Sequence, residues 1–227
     1  SETSPIATAN WPGSRKIGSV GKPIPGVRIA LDTALAADPR DGEIVVYGHN
    51  VMEGYHNLPD QTAEVFTDDG GFRTGDLGRI DDEGFLHITG RVKEQYNLGN
   101  GKYVVPTLIE DALSLSPYIA NSMVYGDGRP YNVALVVPEY PALKSWAKEE
   151  GVDLDDPDVV HNPSLLELIG REINKHTESM PHYEHVREFA LLADDFTTDN
   201  GMLTPTLKLR RNVVLDHFND SLEGLYQ

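Results

Sequence analysis

The sequence has 227 residues, with 36 acidic against 19 basic side chains, a formal net charge of −17, and 39% hydrophobic residues. That apolar share supports one large or two small cored domains, while so acidic a surface repels phosphate backbones and anionic lipid and makes nucleic acid a poor partner. The absence of cysteine excludes disulfides, thiolate zinc sites and cysteine nucleophiles, and fits a cytoplasmic protein.

The opening Ser1-Glu2-Thr3-Ser4-Pro5 has no initiator methionine and no signal-peptide core, so the chain is expected to start in mid-protein. Gly21 to Gly26 signals a loop. The runs Val27–Leu31 and Glu43–Tyr47 have strand length and strand composition. Asp82-Glu83-Gly84 divides a hairpin whose arms are Arg79-Ile80 and Phe85–Ile88. The part up to residue 90 therefore predicts a small β-rich, barrel-like unit. A short polar segment at residues 91–93 is the expected boundary, and residues 94–227 form the expected second domain.

In that second part, Asn100-Gly101 suits the positive φ of a tight hairpin turn. Helical spacing covers Pro106–Leu115, and Ser116-Pro117 ends it. Strands are predicted at Ala120–Tyr125 and Asn132–Val137, then helices at Pro141–Glu150 and Pro163–Glu178. A strand at Phe189–Leu192 and a last helix over Lys208–Leu222 complete a compact α+β pattern, so the fold class predicted for the whole chain is α+β. The acidic stretch Asp153–Asp158 reads as a solvated face.

Three segments carry residues suited to chemistry. Asp76, just after Gly75, can sit at a sharp bend and accept two hydrogen bonds from a vicinal diol; it can equally be an ordinary turn aspartate. Arg91 offers a planar fork of donors, or belongs to a surface cluster with Lys93 and Glu94. Lys208-Leu209-Arg210-Arg211 follows Thr204-Pro205-Thr206, which reads as a helix start. Positive charge in a first helical turn opposes the helix dipole, and such local conflicts are often functional. There is no Walker-type phosphate loop, no convincing metal cluster among the eight scattered histidines, and no recognisable Ser-His-Asp motif.

Taken in order, these segments resemble the adenylate-forming acyl-CoA synthetases, particularly the long-chain fatty-acyl type. Ser1–Pro5 is similar to the tail of their Thr/Ser-Glu-Thr-Ser-Pro motif. Val51–Asn57 with Thr62 resembles their Gly-Tyr-Asn-Pro region, and Thr74-Gly75-Asp76 their Thr-Gly-Asp motif. Gly90–Gln95 through Gly99–Pro106 resembles the hinge and following loop, and Leu203–Arg211 the C-terminal lysine motif.

The resemblance implies a carboxylate activated with ATP to an acyl-adenylate, then transferred to coenzyme A. It implies that Asp76 and Arg91 bind the ribose, that Thr3 lies beside the adenylate, and that Glu2 is linked to Mg2+. It implies that Lys93 is the pivot, that Gly99, Asn100, Gly101 and Lys102 serve the thioester step, and that Lys208 is the catalytic charge of adenylation. The implied partners are fatty acid, ATP, CoA and an N-terminal domain holding the phosphate loop and acyl pocket, without which this piece is expected to be inactive. No apolar run approaches the roughly 20 residues that span a bilayer, so membrane association is not indicated. Two alternatives stand: an adenylate-forming enzyme with another acid or acceptor, and a non-catalytic binding module of the same fold.

Overall fold

Short apolar alternations punctuated by glycine fold the first part of the chain into sheet. The computed structural model describes residues 1–35 and 40–227, and the chain divides into two units, Ser1–Gln95 and Tyr96–Gln227. In the first, β1 (Thr8–Ala9) and β2 (Lys22–Pro23) form a two-stranded antiparallel ribbon. Then come β3 (Val27–Asp32), β4 (Gly42–Gly48), the short helix α1 (Pro59–Glu64), β5 (Phe72–Ile80) and β6 (Leu86–Arg91). These four strands pair antiparallel in the order β3-β4-β5-β6. The β5–β6 turn is held by Asp81, whose Oδ1 accepts the N–H groups of Glu83 and Phe85.

The α+β class holds, but the first unit is not barrel-like. Among the described residues β3 and β6 do not pair, and the sheet stays open. Closing a barrel requires the two edge strands to hydrogen-bond to each other, so that no edge is left. Two irregularities matter for the site. Thr74, Gly75 and Asp76 stand opposite the single residue Ile44, and the β5–β6 register shifts between Leu77 and Gly78. Bulges of this kind bend a strand and re-aim its side chains.

The second unit begins with a ribbon of β7 (Tyr96–Asn97) and β8 (Tyr103–Val104). It continues through α2 (Pro106–Leu113), β9 (Ile119–Tyr125), β10 (Asn132–Pro138), α3 (Tyr140–Glu150), α4 (Pro163–Thr177) and β11 (Val186–Leu191). It ends with α5 (Arg211–His217) and α6 (Asn219–Gly224). The sheet order is β11-β10-β9, with β10 antiparallel to β9 and parallel to β11.

Every residue of β10 is buried. Ala134 and Val136 enter a core with Ile109, Leu113, Leu165 and Ile169. Val133, Leu135 and Val137 enter a second core with Met202, Val214 and Leu222. A strand covered on both faces needs apolar residues throughout, which explains the unbroken run in the sequence. The start of α4 is set by Asn162, whose side chain accepts from the N–H groups of Ser164 and Leu165, with Pro163 in the first turn.

The predicted last helix requires correction. Residues 203–209 form a small hairpin, with Leu203 bridged to Leu209. Thr204 N–H donates to the Lys208 carbonyl and Leu207 N–H to the Thr204 carbonyl, both at 2.8 Å. The Thr204 hydroxyl also accepts the Lys208 N–H at 3.0 Å. Leu207 has φ 60°, a left-handed backbone that no helix accommodates. The turn chemistry of Thr204-Pro205-Thr206 wins over helical spacing. Lys208 therefore does not oppose a helix dipole.

Candidate functional site

A cavity of about 780 Å3 in the first unit is lined by Glu2, Thr3, Tyr55, Arg73, Thr74, Gly75, Asp76, Arg91 and Lys93, among others. Its floor is the bulged part of β5. Gly75 has φ 72°, and a Cβ added there would meet nothing within 4 Å, so glycine is required by conformation rather than by space. The Thr74 hydroxyl donates to the Ile44 carbonyl at 2.9 Å and accepts the Asp76 N–H at 3.1 Å. Gly75 N–H donates to Glu43 Oε1 at 3.2 Å.

Glu43 is only 6% exposed, and its charge is met by Arg73 Nη1 at 2.6 Å. The other Arg73 nitrogen reaches Asp32 at 2.8 Å. The backbone N–H of Ala34, followed by Arg73, holds the Asp32 carboxyl below the usual carboxylate range. This lattice of charges fixes the segment that presents Asp76. Asp76 itself pairs across the strands with Arg91, Nε to Oδ1 at 3.1 Å. Arg91 is half exposed, and a pair in that setting contributes under about 1 kcal/mol to folding.

The opposite wall is the start of the chain. Buried Asn50 donates to the carbonyls of Thr3 at 3.1 Å and Ile6 at 2.8 Å, and Met52 N–H donates to the Glu2 carbonyl at 2.9 Å. The Tyr55 hydroxyl donates to Glu2 Oε1 at 3.3 Å. The backbone N–H of Glu2 is the main cause that keeps the Glu2 carboxyl below its ordinary range, while burial pushes the Tyr55 hydroxyl up. An ionised single carboxylate suits Mg2+, which keeps several waters and takes its other ligands from phosphate. Among the described residues there is no group of three or more metal-ligating side chains that would form an all-protein cage.

Lys93 also lines this cavity, in the turn after β6, where the N–H groups of Glu94 and Gln95 both reach the Arg91 carbonyl. Glu2, Thr3, Asp76, Arg91 and Lys93 thus share one cavity within the first unit. Glu43, Asn50 and Tyr55, which support them, were not singled out as site residues from the sequence. The charge that opens the otherwise apolar run Glu43–Tyr47 is the one signal that could have exposed Glu43.

The second unit carries the rest. Leu98 to Lys102 bridge the paired residues Asn97 and Tyr103. Only Gly101 takes a positive φ, at 77°, and Asn100 Oδ1 accepts the Lys102 N–H at 3.0 Å. This is a longer loop than the two-residue turn suggested by Asn100-Gly101. Gly99 N–H donates to the Arg129 carbonyl at 2.7 Å, and Lys102 Nζ lies 5.7 Å from the Tyr183 ring centre.

The basic run 208–211 is split by its contacts. Arg210 donates to the Gly201 carbonyl at 3.0 Å, and Arg211 bonds the Val124 carbonyl and Glu110. Lys208 is exposed, and among the described residues its ammonium has no hydrogen-bond or ion-pair partner. His182 and His185 touch ring to ring with centres 5.4 Å apart, and His185 Nε2 lies against the Met180 carbonyl.

Comparison with known proteins gives the following. The family described as AMP-binding enzyme C-terminal domain matches residues 93–227. The long-chain-fatty-acid–CoA ligase FadD15 of Mycobacterium bovis is 39% identical over 230 residues, covering the whole of this chain and 37% of that protein. The adenylation domain of a carboxylate reductase from Mycobacterium chelonae is 29% identical with a TM-score of 0.72, over 92% of this chain and 32% of that one. The A domain of a carboxylic acid reductase from Segniliparus rugosus, solved with AMP and a co-purified carboxylic acid, is 28% identical with a TM-score of 0.69, over 91% and 32% of the two chains. The chain therefore spans about a third of the length of these proteins. Among the described residues no helix is long and apolar enough to cross a membrane.

Proposed function

The chain belongs to the AMP-binding enzyme C-terminal domain family, and from that premise we propose that it works as the carboxy-terminal part of an ATP-dependent long-chain-fatty-acid–CoA ligase. The observation that carries this proposal is the cross-strand pair of Asp76 and Arg91, presented into one cavity with Glu2 and Thr3. A fixed carboxylate accepts the two hydroxyls of a ribose, and the adjacent guanidinium adds donors at its edge. Thr3 stands beside the adenylate.

In the first half-reaction a fatty-acid carboxylate oxygen attacks the α-phosphorus of ATP, and pyrophosphate leaves. Mg2+ when bound neutralises phosphate charge, and Glu2 is the residue of this chain that would help to hold it. Lys208 supplies a positive charge to the oxygens shared between carboxylate and α-phosphate, so its effect is electrostatic. In the second half-reaction the sulfur of CoA, giving up its proton, attacks the acyl carbon and AMP leaves. Rotation about Lys93 exchanges the Lys208 hairpin for the Gly99–Lys102 loop between the two steps, a hinge motion of a familiar kind. The phosphate loop and the acyl pocket belong, on this proposal, to the part of the relatives that this chain does not span.

The likeness to carboxylate reductase adenylation domains favours a second reading, in which the same adenylation serves a different acyl acceptor. Transfer to free CoA, measured directly, separates the two. A non-catalytic module would need neither the Asp76–Arg91 pair of the first unit nor, in the second, a Lys208 that is unpaired among the described residues.

The test uses the full-length ligase. Lys208→Ala lowers ATP–pyrophosphate exchange by about 100- to 1,000-fold, while CoA transfer from preformed acyl-adenylate stays within a few-fold. Equal loss in both half-reactions would overturn the role given to Lys208.

A further inference from the structure

Arg211, at the end of the basic run, is unused by the chemistry proposed above. It opens α5, and its side chain is 21% exposed against 14% for its partner Glu110. One guanidinium nitrogen contacts Glu110 Oε2, and the other donates to the Val124 carbonyl at 3.3 Å. Val124 N–H donates in turn to Glu110 Oε1 at 2.7 Å. The three contacts close a ring on β9, which is an edge strand of its sheet. The ion pair satisfies both peptide groups of Val124, as a neighbouring strand would.

The hairpin carrying Lys208 is otherwise tied mainly to itself. Its polar bonds join Thr204 to Lys208, Leu207 to Thr204, Arg210 to Met202 and Gly201, and Leu203 to Thr197. Leu203 and Leu209 add half-buried packing on the second core, which fixes no direction. Arg211 is the nearest residue after Lys208 that makes directional bonds to distant elements. Those elements are β9 and α2, the helix that follows the Gly99–Lys102 loop.

We propose that the Glu110–Arg211 pair is a positioning device for Lys208, anchoring the base of its hairpin to the sheet edge and leaving the lysine charge free. The inference rests on the adenylation role of Lys208. A guanidinium reaches two acceptors at once, whereas an ammonium is a single point charge on a flexible stem. Arg211→Lys therefore keeps the charge and loses the anchor.

In the full-length ligase, Arg211→Lys is expected to lower the maximal rate of ATP–pyrophosphate exchange about tenfold to 100-fold, the scale of an ångström-sized misplacement. The KM for ATP and CoA transfer from preformed acyl-adenylate should each stay within a few-fold. Glu110→Gln, a milder change that keeps an acceptor for Val124 N–H, should give a smaller loss of the same selectivity. The double variant should be no worse than the worse single one, since both break one ring. Equal loss in both half-reactions, or full adenylation by Arg211→Lys, would overturn the inference. Lys208→Ala, run alongside, separates the failures. If it leaves adenylation intact, the functional proposal falls and the inference with it. If it cripples adenylation while Arg211→Lys does not, only the positioning role falls.

Discussion

In the first unit Asp76 faces Arg91 across two strands, on a segment fixed by Glu43, Arg73 and Asp32. In the second, Lys208 sits on an exposed hairpin with its ammonium unpaired among the described residues, while the charges around it are taken up by Gly201, Val124 and Glu110. The difference matches the two tasks proposed for these residues. Holding a ribose calls for acceptors whose direction is set in advance, and a bulged strand with a buried charge lattice sets it. Delivering charge to a transition state calls for a cation that need not first break a partner's bond.

That contrast can be broken or sharpened by experiment. Beyond Lys208→Ala, the largest expected effect is that of Asp76→Ala in the full-length protein. Losing hydrogen bonds to a charged acceptor raises the KM for ATP by roughly tenfold to 100-fold. If steady-state kinetics instead show a fallen kcat with unchanged KM, Asp76 is not a holding residue.

Gly75→Ala comes next. The site has room for a methyl group, so the cost is the strained backbone at φ 72°, about 1 to 2 kcal/mol, less about 0.5 to 1 kcal/mol of freedom that alanine removes from the unfolded chain, leaving a net loss of about 0.5 to 1 kcal/mol in urea unfolding. A gain in stability would mean that the bulge does not hold a left-handed backbone at Gly75.

The third expectation concerns acid. Lys16 contacts Asp81 and Glu83, both at 2.7 Å, and it, with His87 and the Phe85 N–H, holds the Asp81 carboxyl far below its ordinary value of 3.8. Lys16 is in turn raised to about 12. A depressed carboxylate contributes stability above the unfolded value and loses it as pH falls. The raised lysine contributes below its unfolded value of 10.5 and loses that as pH climbs through about 12. Lys16→Met should therefore flatten the fall in urea midpoint between about pH 5 and pH 2. An unchanged acid limb would show the cluster to be idle.

The smallest effect is expected at Leu207. Glycine there relieves a left-handed leucine worth about 1 to 2 kcal/mol, and loses about 0.5 to 1 kcal/mol to backbone freedom when unfolded. Leu207→Gly should thus leave the melting temperature nearly unchanged, and a drop of many degrees would point to a packing role.

Much of this arrangement could be read from residue order. The strands at Val27–Asp32, Gly42–Gly48 and Asn132–Pro138 were legible because their patterns are local, and so was the bend presenting Asp76, because Gly75 precedes it. The supports were not. Glu43 meets Gly75 from 32 residues away, Asn50 meets Thr3 from 47, and Glu110 meets Arg211 from 101. The last helix starts at Arg211 rather than Lys208 and breaks at Phe218 into two, because the turn at Thr204-Pro205-Thr206 competes for the backbone around Lys208.

By itself, then, the amino-acid order determined the α+β class, the positions of most elements, and the run of motifs from Glu2 to Lys208. Those follow from backbone preferences and side-chain periodicity within a dozen residues. Only the tertiary structure decided that the sheet stays open, that Glu43 and Arg73 brace the Asp76 bend, and that Lys208 rides a hairpin while Arg211 is bound to Glu110. Each of those depends on strand register and on which charges meet after long loops close, and no local pattern encodes that choice.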